Sequence, residues 1–71
     1  MRQWLFDLRT DKRISQLQIA ALTGITQQMY SNIEHGKRRP SVAVAKKIGA
    51  YLGFDWTRFY EDEAEAEEPT A

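Results

Sequence analysis

The stretch that decides the fold is Thr26–Gly36, with the sequence TQQMYSNIEHG. Thr26 is a favourable N-cap residue, because its hydroxyl can accept a hydrogen bond from a backbone N–H of the first helical turn. Gly36 stands where a helix of about two and a half turns needs a left-handed closing residue. Tyr30 and Ile33 are three residues apart and therefore share one face. The stretch predicts a short helix with one buried face.

The other face of this helix carries polar side chains. At roughly 100° per residue, four polar residues lie broadly opposite the apolar pair and a fifth lies on the flank at the first turn. They are Gln28, Ser31, Asn32 and His35, with Gln27 on the flank. Glutamine and asparagine can bond bidentately to the N6/N7 edge of adenine in the major groove. The pattern predicts a DNA-reading helix, although an ordinary hydrated helix face has the same composition.

Size and composition restrict the class of protein. The chain has 71 residues, enough for one small domain that buries only about 60% of its unfolded surface. It has no cysteine and one histidine, so neither a disulfide nor a credible catalytic set or metal cluster can be assembled. We expect no enzymatic activity, no cofactor, no metal and no small-molecule substrate. No apolar run reaches the ~18 residues of a membrane span and the N-terminus lacks a signal-peptide pattern, so we expect a cytoplasmic protein.

The formal net charge of zero hides an uneven distribution of charge. All ten Lys and Arg residues lie at or before Arg58, and residues 1–60 contain four acidic residues. Residues 1–60 therefore carry ten minus four, or +6, whereas residues 61–71 carry −6. The asymmetry predicts a basic domain over residues 1–61 that binds an anion. Residues 62–71 form an acidic tail that has little to bury, and we expect it to be disordered.

Four further helices are predicted from apolar periodicity and capping residues, and no segment alternates as a strand does. The expected ranges are about Gln3–Lys12 for helix one, about Gln16–Thr23 for helix two and about Val42–Leu52 for helix four. A short fifth helix begins at the cap Asp55, and its aromatic residues are Trp56, Phe59 and Tyr60. Further start and stop signals are Ser15, Gly24, Ser41 and Gly53. The predicted fold class is all-α, with five short helices around one core.

Seven short motifs follow one another along the chain with the spacing that they have in a known family. They are Ser15-Gln16, Ile19-Ala20, Gly24-Ile25-Thr26, Ile33-Glu34, Gly36-Lys37, Pro40-Ser41 and Ala50–Gly53. With this spacing the sequence resembles the lambdoid phage repressor and Cro family, the Xre-type helix-turn-helix domains, over about residues 4–60. The resemblance implies a lambda-repressor-like domain in which helices two and three form the helix-turn-helix and helix three lies in the major groove.

The resemblance also implies roles for individual residues. Gln27 and Gln28 match a pair that reads base edges, and Asn32 matches a third reader one turn on. Ser31 is as compatible with a base contact as with no contact to DNA. Gln16 matches a residue that contacts a phosphate and braces helix three.

Contacts to the DNA backbone are expected around helix three. The candidates are Gln16, Thr26, His35, Lys37, Arg38 and Arg39, and weaker ones are Arg2, Lys12, Arg13, Lys46 and Lys47. A hydrated run of basic residues is the alternative for the three that follow the helix. Phosphate contacts position a protein without carrying sequence information, and they make affinity fall with salt.

Two further implications concern the frame of the domain. Arg9 and Glu34 match a partly buried ion pair that ties helix one to the end of helix three. Arg13 stands where the family usually has glycine, so a different or mildly strained turn is expected after helix one. His35 stands where asparagine is common, which leaves its local backbone contact open.

The leading hypothesis is a sequence-specific double-stranded DNA-binding regulator of transcription, a repressor acting on an operator as a homodimer or as a dimer formed only on DNA. Trp56, Phe59 and Tyr60 form a candidate dimer surface, since aromatic anchors are typical of interface centres. Full burial of these rings within the monomer is the alternative. The rival function is a protein-interaction module of the same fold, antitoxin-like or regulator-sequestering.

Overall fold

A computed structural model describes residues 1–61 as an all-helical domain without strands in that range. Its helices are α1 (Gln3–Asp11), α2 (Gln16–Thr23), α3 (Gln27–Glu34) and α4 (Val42–Leu52), followed by a last helical turn, α5 (58–61). The predicted all-α fold of five short helices is confirmed. The predicted acidic tail lies outside the described residues. In the described part, no helix is both long enough and apolar enough to cross a membrane.

The helix boundaries follow the capping residues. Ser15, Thr26 and Ser41 each accept a hydrogen bond from the backbone N–H three residues later, at 3.0, 3.0 and 3.2 Å. Gly24 and Gly53 end α2 and α4, both at a φ of 77°, in the left-handed region that glycine occupies without strain. Local start and stop chemistry therefore sets the ends of the three central helices.

One apolar core joins the helices. Its fully buried members are Leu5, Ile19, Ala20, Tyr30, Ile33, Ala45, Ile48, Leu52 and Phe59. Phe59 lies within an aromatic cluster, with ring centroids 5.4 Å from Trp4 and 5.5 Å from Phe54. Because Phe59 is 0% exposed, it does not belong to the candidate dimer surface. For this ring the alternative prediction, burial within the monomer, is the correct one.

The segment after α4 differs from the predicted fifth helix. Asp55 Oδ1 accepts hydrogen bonds from the N–H and the hydroxyl of Thr57, at 3.0 and 2.8 Å. These two bonds lower the pKa of Asp55. They close a turn that contains Trp56, so Trp56 precedes α5 instead of lying inside it. Asp55 thus closes the preceding turn instead of capping α5 directly, and the helix begins at residue 58, later than predicted.

The turn between α1 and α2 is strained at Arg13. Arg13 has a φ of 59° and is the one non-glycine residue with positive φ among residues 1–61. A left-handed conformation costs an L-residue roughly 1–2 kcal/mol. The strained turn expected from an arginine at a usual glycine position is therefore present.

Gly49 lets the chain after α4 fold back closely onto the helix. A Cβ atom at this position would lie 2.7 Å from the carbonyl oxygen of Phe54 and 3.3 Å from the Cβ of Trp56. The Phe54 N–H donates to the Gly49 carbonyl at 3.0 Å, and this bond also holds the returning chain against α4. The position requires the smallest residue because of space and not because of its backbone conformation.

Gly49→Ala is expected to lower the free energy of unfolding by about 1–3 kcal/mol, because the added methyl group overpacks against backbone. The sign of this change in free energy is informative, since replacing glycine by alanine in a helix interior otherwise stabilises a protein by about 1 kcal/mol. Urea unfolding of the two proteins measures the difference. Ala50→Gly, at the exposed next position of α4, reports the propensity effect alone. A Gly49→Ala protein more stable than the parent would contradict the close approach.

Candidate nucleic-acid interface

α3 is fixed against α2 by the short turn between them. Gly24 ends α2, and Ile25 packs against the core while its N–H bonds to a carbonyl of α2 at 3.0 Å. Thr26 then caps α3. On the inner side of α3, Tyr30 and Ile33 are 0% and 1% exposed. α2, the turn and α3 thus form the helix-turn-helix, with the orientation of α3 set by its buried face.

The outer face of α3 carries the predicted base-reading residues. Gln27 and Gln28 are exposed, and Ser31 and Asn32 are half-buried. Gln28 Nε2 donates to Asn32 Oδ1 at 3.2 Å. The two amides therefore lie side by side one turn apart, on a helix whose opposite face is locked in the core. The structure brings together the residues that the sequence placed on one face.

His35 ends α3 and bonds back to it. Its Nδ1 lies 2.8 Å from the carbonyl oxygen of Ser31, and since that oxygen only accepts, Nδ1 carries the proton of this contact. The ring is exposed. The backbone contact that the sequence left open is thus a C-terminal cap on α3, while a phosphate contact by His35 stays a prediction.

A basic loop follows α3 directly. We use this name for the three exposed residues Lys37, Arg38 and Arg39. Gly36 turns the chain at a φ of 81°, and the backbone N–H groups of Lys37 and Arg38 then donate to the carbonyl of Asn32 at 2.8 and 3.2 Å. Within residues 1–61, neither Lys37 nor Arg38 forms an ion pair. Two cations without an ion-pair partner in the described residues therefore border the outer face of α3 that carries Gln28 and Asn32, here called the amide face.

The far end of the basic loop is held by the last helical turn. The hydroxyl of Tyr60 donates to the carbonyl oxygen of Pro40 at 3.0 Å, and Pro40 is buried. The Tyr60 ring meets that of Trp56 edge-on at 5.9 Å, and Lys46 Nζ lies 5.3 Å from the centroid of Trp56. Trp56 and Tyr60 are half-buried, so these two rings are what remains of the candidate dimer surface.

Arg9 and Glu34 form a two-pronged ion pair at the end of α3. Arg9 Nε and Nη2 lie 3.0 Å from Glu34 Oε1 and Oε2, with Arg9 8% exposed and Glu34 0% exposed. The hydrogen bonding to Glu34 raises the pKa of Arg9, so the guanidinium stays charged. Gln16 Nε2 lies 3.5 Å from Glu34 Oε1, and Arg9 Nη1 also donates to the Ile14 carbonyl at 2.8 Å. The pair thus ties together α1, α2 and α3, and it is buried more completely than predicted.

Tyr30 lies beside this pair. Its hydroxyl is buried and has no hydrogen-bond partner among residues 1–61. Burial, and secondly the Glu34 carboxylate, raise the pKa of Tyr30 above its ordinary value of 10.0. The free energy of unfolding should fall as the pH rises above 10, because Tyr30 then loses its proton readily in the unfolded chain but keeps it in the folded one.

Sequence reasoning missed the role of Arg2. It was a weak candidate for phosphate contact, but its side chain is 5% exposed and points into the domain. Nη1 donates to the carbonyl of Ile33 and, at 3.3 Å, to the carbonyl of Arg38. A charged residue next to a terminus ordinarily lies in solvent, so no sequence signal identifies this contact.

The outer face of α3 and the basic loop offer amide groups and cations to a ligand. No group of three metal-ligating side chains lies together in the described part of the chain. Comparison with known families matches residues 5–59 to the helix-turn-helix family HTH_3. The chain belongs to this helix-turn-helix family. The predicted family resemblance is confirmed.

Two bacterial proteins are similar to this helix-turn-helix protein. It is 50% identical over 62 residues to YqaF of Bacillus subtilis, named an uncharacterized HTH-type transcriptional regulator, with 87% of this chain and 82% of YqaF covered. It is 35% identical over 46 residues to y4dJ of Sinorhizobium fredii, which bears the same description, with 65% and 60% covered. Both likenesses include most of the helical part.

Proposed function

We propose that this helix-turn-helix protein is a DNA-binding transcriptional regulator, without catalytic activity, that occupies an operator in the cytoplasm and acts as a repressor. The observation that carries the proposal is the outer face of α3. Two amides lie side by side on a helix that the core holds rigidly, next to Lys37 and Arg38, which form no ion pair with a carboxylate of residues 1–61. Membership of the family and the regulators similar to the chain support the same assignment.

Base reading is assigned to Gln27, Gln28 and Asn32, with Ser31 beside them. The hydrogen bond between Gln28 and Asn32 uses one donor of the first amide and the carbonyl oxygen of the second. The oxygen of Gln28 and the amino group of Asn32 stay available for base edges, which present both acceptors and donors in the major groove. The pair can therefore read adjacent bases as one preorganised unit.

Phosphate binding is assigned to the basic loop, with Gln16, Thr26 and His35 as flanking contacts. The loop lies next to the amide face because its N–H groups bond to the carbonyl of Asn32. The +6 charge of residues 1–60 attracts a polyanion from any direction. Contacts that hold the sugar-phosphate backbone would then fix the position of the amides over the bases.

A homodimer is proposed because one such domain reads few base pairs. Two domains on half-sites about one helical turn apart, ~34 Å, double the contact. Trp56 and Tyr60 keep part of their rings at the surface and are the proposed dimer contact, formed either in solution or on DNA.

Binding to a duplex selected by the wild-type protein from a random library tests the proposal. If each subunit of a dimer places its three loop cations on phosphates, about six counterions are released, and affinity should fall roughly 10³-fold between 50 and 200 mM salt. Lys37→Ala should make this dependence shallower, whereas Arg58→Ala, which removes an exposed cation outside the predicted phosphate contacts, should leave it nearly unchanged. Recovery of no duplex, or an affinity independent of salt, would refute the assignment.

A further inference from the structure

We propose that Arg2 is a positioning residue for the DNA-binding surface, because its buried guanidinium holds the basic loop in a fixed place relative to α3. The inference rests on the proposed function. It concerns a residue that touches neither base nor phosphate in this arrangement, since its side chain is 5% exposed.

The contacts of Arg2 converge on the point where α3 meets the basic loop. Its backbone N–H donates to the carbonyl of Glu34 at 2.8 Å. Its Nη1 donates both to the carbonyl of Ile33, in the last turn of α3, and to the carbonyl of Arg38, in the basic loop. One residue at the start of the chain thus bonds the helix and the loop together.

The chemistry of these contacts requires an arginine. The last carbonyl groups of a helix lack partners within the helix, and a cation at this end interacts favourably with the helix dipole. A planar guanidinium carries five donors in a fixed geometry and can bond two carbonyls at once. The ring of Phe59, whose centroid lies 5.4 Å from Arg2 Cζ, covers the group from the core side. A lysine keeps the charge but not the planar fork.

Arg2 contacts the basic loop between two other points at which the loop is held. At its start the loop is held by the Asn32 carbonyl, and after its end by the bond between Tyr60 and Pro40. Arg2 supplies the contact between these two points, at the Arg38 carbonyl itself. Without this hydrogen bond, the peptide group between Arg38 and Arg39 can rotate. DNA binding would then have to fix its conformation, at a cost in binding free energy.

Arg2→Met tests the role, with Arg2→Lys as the conservative variant. At a temperature where all proteins are folded, Arg2→Met should bind the selected duplex about tenfold more weakly, the effect of one charge-assisted hydrogen bond. Its salt dependence should be shallower, because a mobile loop makes fewer phosphate contacts. Arg2→Lys should restore the melting temperature more fully than the affinity.

Ala50→Gly serves as the destabilised control, since it lowers helix propensity at an exposed position of α4, away from the basic loop and the aromatic rings. It should bind DNA normally while folded. If Ala50→Gly and Arg2→Met lose the same affinity, or if Arg2→Met loses none, Arg2 has no positioning role.

Amide hydrogen exchange gives a readout that does not require DNA. In Arg2→Met the protection of the Lys37 and Arg38 N–H groups should fall about tenfold, while that of α4 stays the same. Unchanged protection in the loop would overturn the inference even if the protein binds DNA. Failure of the wild-type protein to bind any duplex would instead overturn the proposed function, with loop protection still deciding the role of Arg2.

Discussion

Glu34→Ala is expected to lower the free energy of unfolding by about 3–5 kcal/mol, the usual cost of leaving one member of a buried ion pair without its partner. The remaining Arg9 would keep a charge in a place that is 8% exposed. Gln16 would lose its neighbour at 3.5 Å as well. A domain of this size has about that much stability in total, so the variant should be largely unfolded at growth temperature and should fail to bind DNA for that reason.

Urea and thermal unfolding measure this effect. Glu61→Ala, which removes an exposed glutamate, is the matched control and should change stability by less than about 0.5 kcal/mol. The double variant Arg9→Met, Glu34→Leu should regain much of the loss, because apolar residues of similar volume often replace a buried pair without cost. The hydrogen bond from Arg9 to the Ile14 carbonyl stays lost in it. An unchanged melting temperature in Glu34→Ala would contradict the structural role of the pair.

The double variant Gln28→Ala, Asn32→Ala is expected to lose about 2–4 kcal/mol of binding free energy for the selected duplex, or roughly 30- to 1,000-fold in affinity, since each bidentate base contact contributes about 1–3 kcal/mol of discrimination. Its melting temperature should stay close to that of the parent, because the two side chains share only one hydrogen bond of 3.2 Å at the surface. Binding to random-sequence DNA should change little, since the basic loop is intact.

Fluorescence anisotropy with the selected and the random duplex separates these effects. Gln3→Ala removes an exposed amide from α1, where it bonds to Asp7 at 3.0 Å, and should leave both affinities unchanged. Equal affinity of parent and double variant for the selected duplex would remove base reading from α3. It would then favour the rival function, a protein-interaction module of the same fold.

The elements that the sequence predicted well are those set by local chemistry. The caps Thr26 and Ser41, the closing Gly24 and the apolar spacing on α3 each involve residues within one turn of one another. The same local periodicity placed Gln28 and Asn32 on one face. Arg13 is a different case, because its strain is expected from the family resemblance, in which glycine usually occupies this position.

The features that could not be predicted depend on residues far apart in the chain. Arg2 meets the carbonyls of residues 33 and 38, and the need for Gly49 arises from a later segment that crosses over it. Aromatic content groups Phe59 with two other rings, because it does not reveal which ring faces inward. Such contacts are products of tertiary packing, and neither helical periodicity nor capping rules contain them.

Asn32 takes part in two kinds of contact through different atoms. Its side chain lies beside Gln28 on the outer face, whereas its main-chain oxygen collects the two N–H groups of the basic loop. Every amino acid has that oxygen, so a substitution at position 32 leaves the loop in place. Under the proposed base reading, a change at position 32 would therefore alter the preferred operator while the loop cations keep their place, which would give duplicated copies of the gene a short route to new targets.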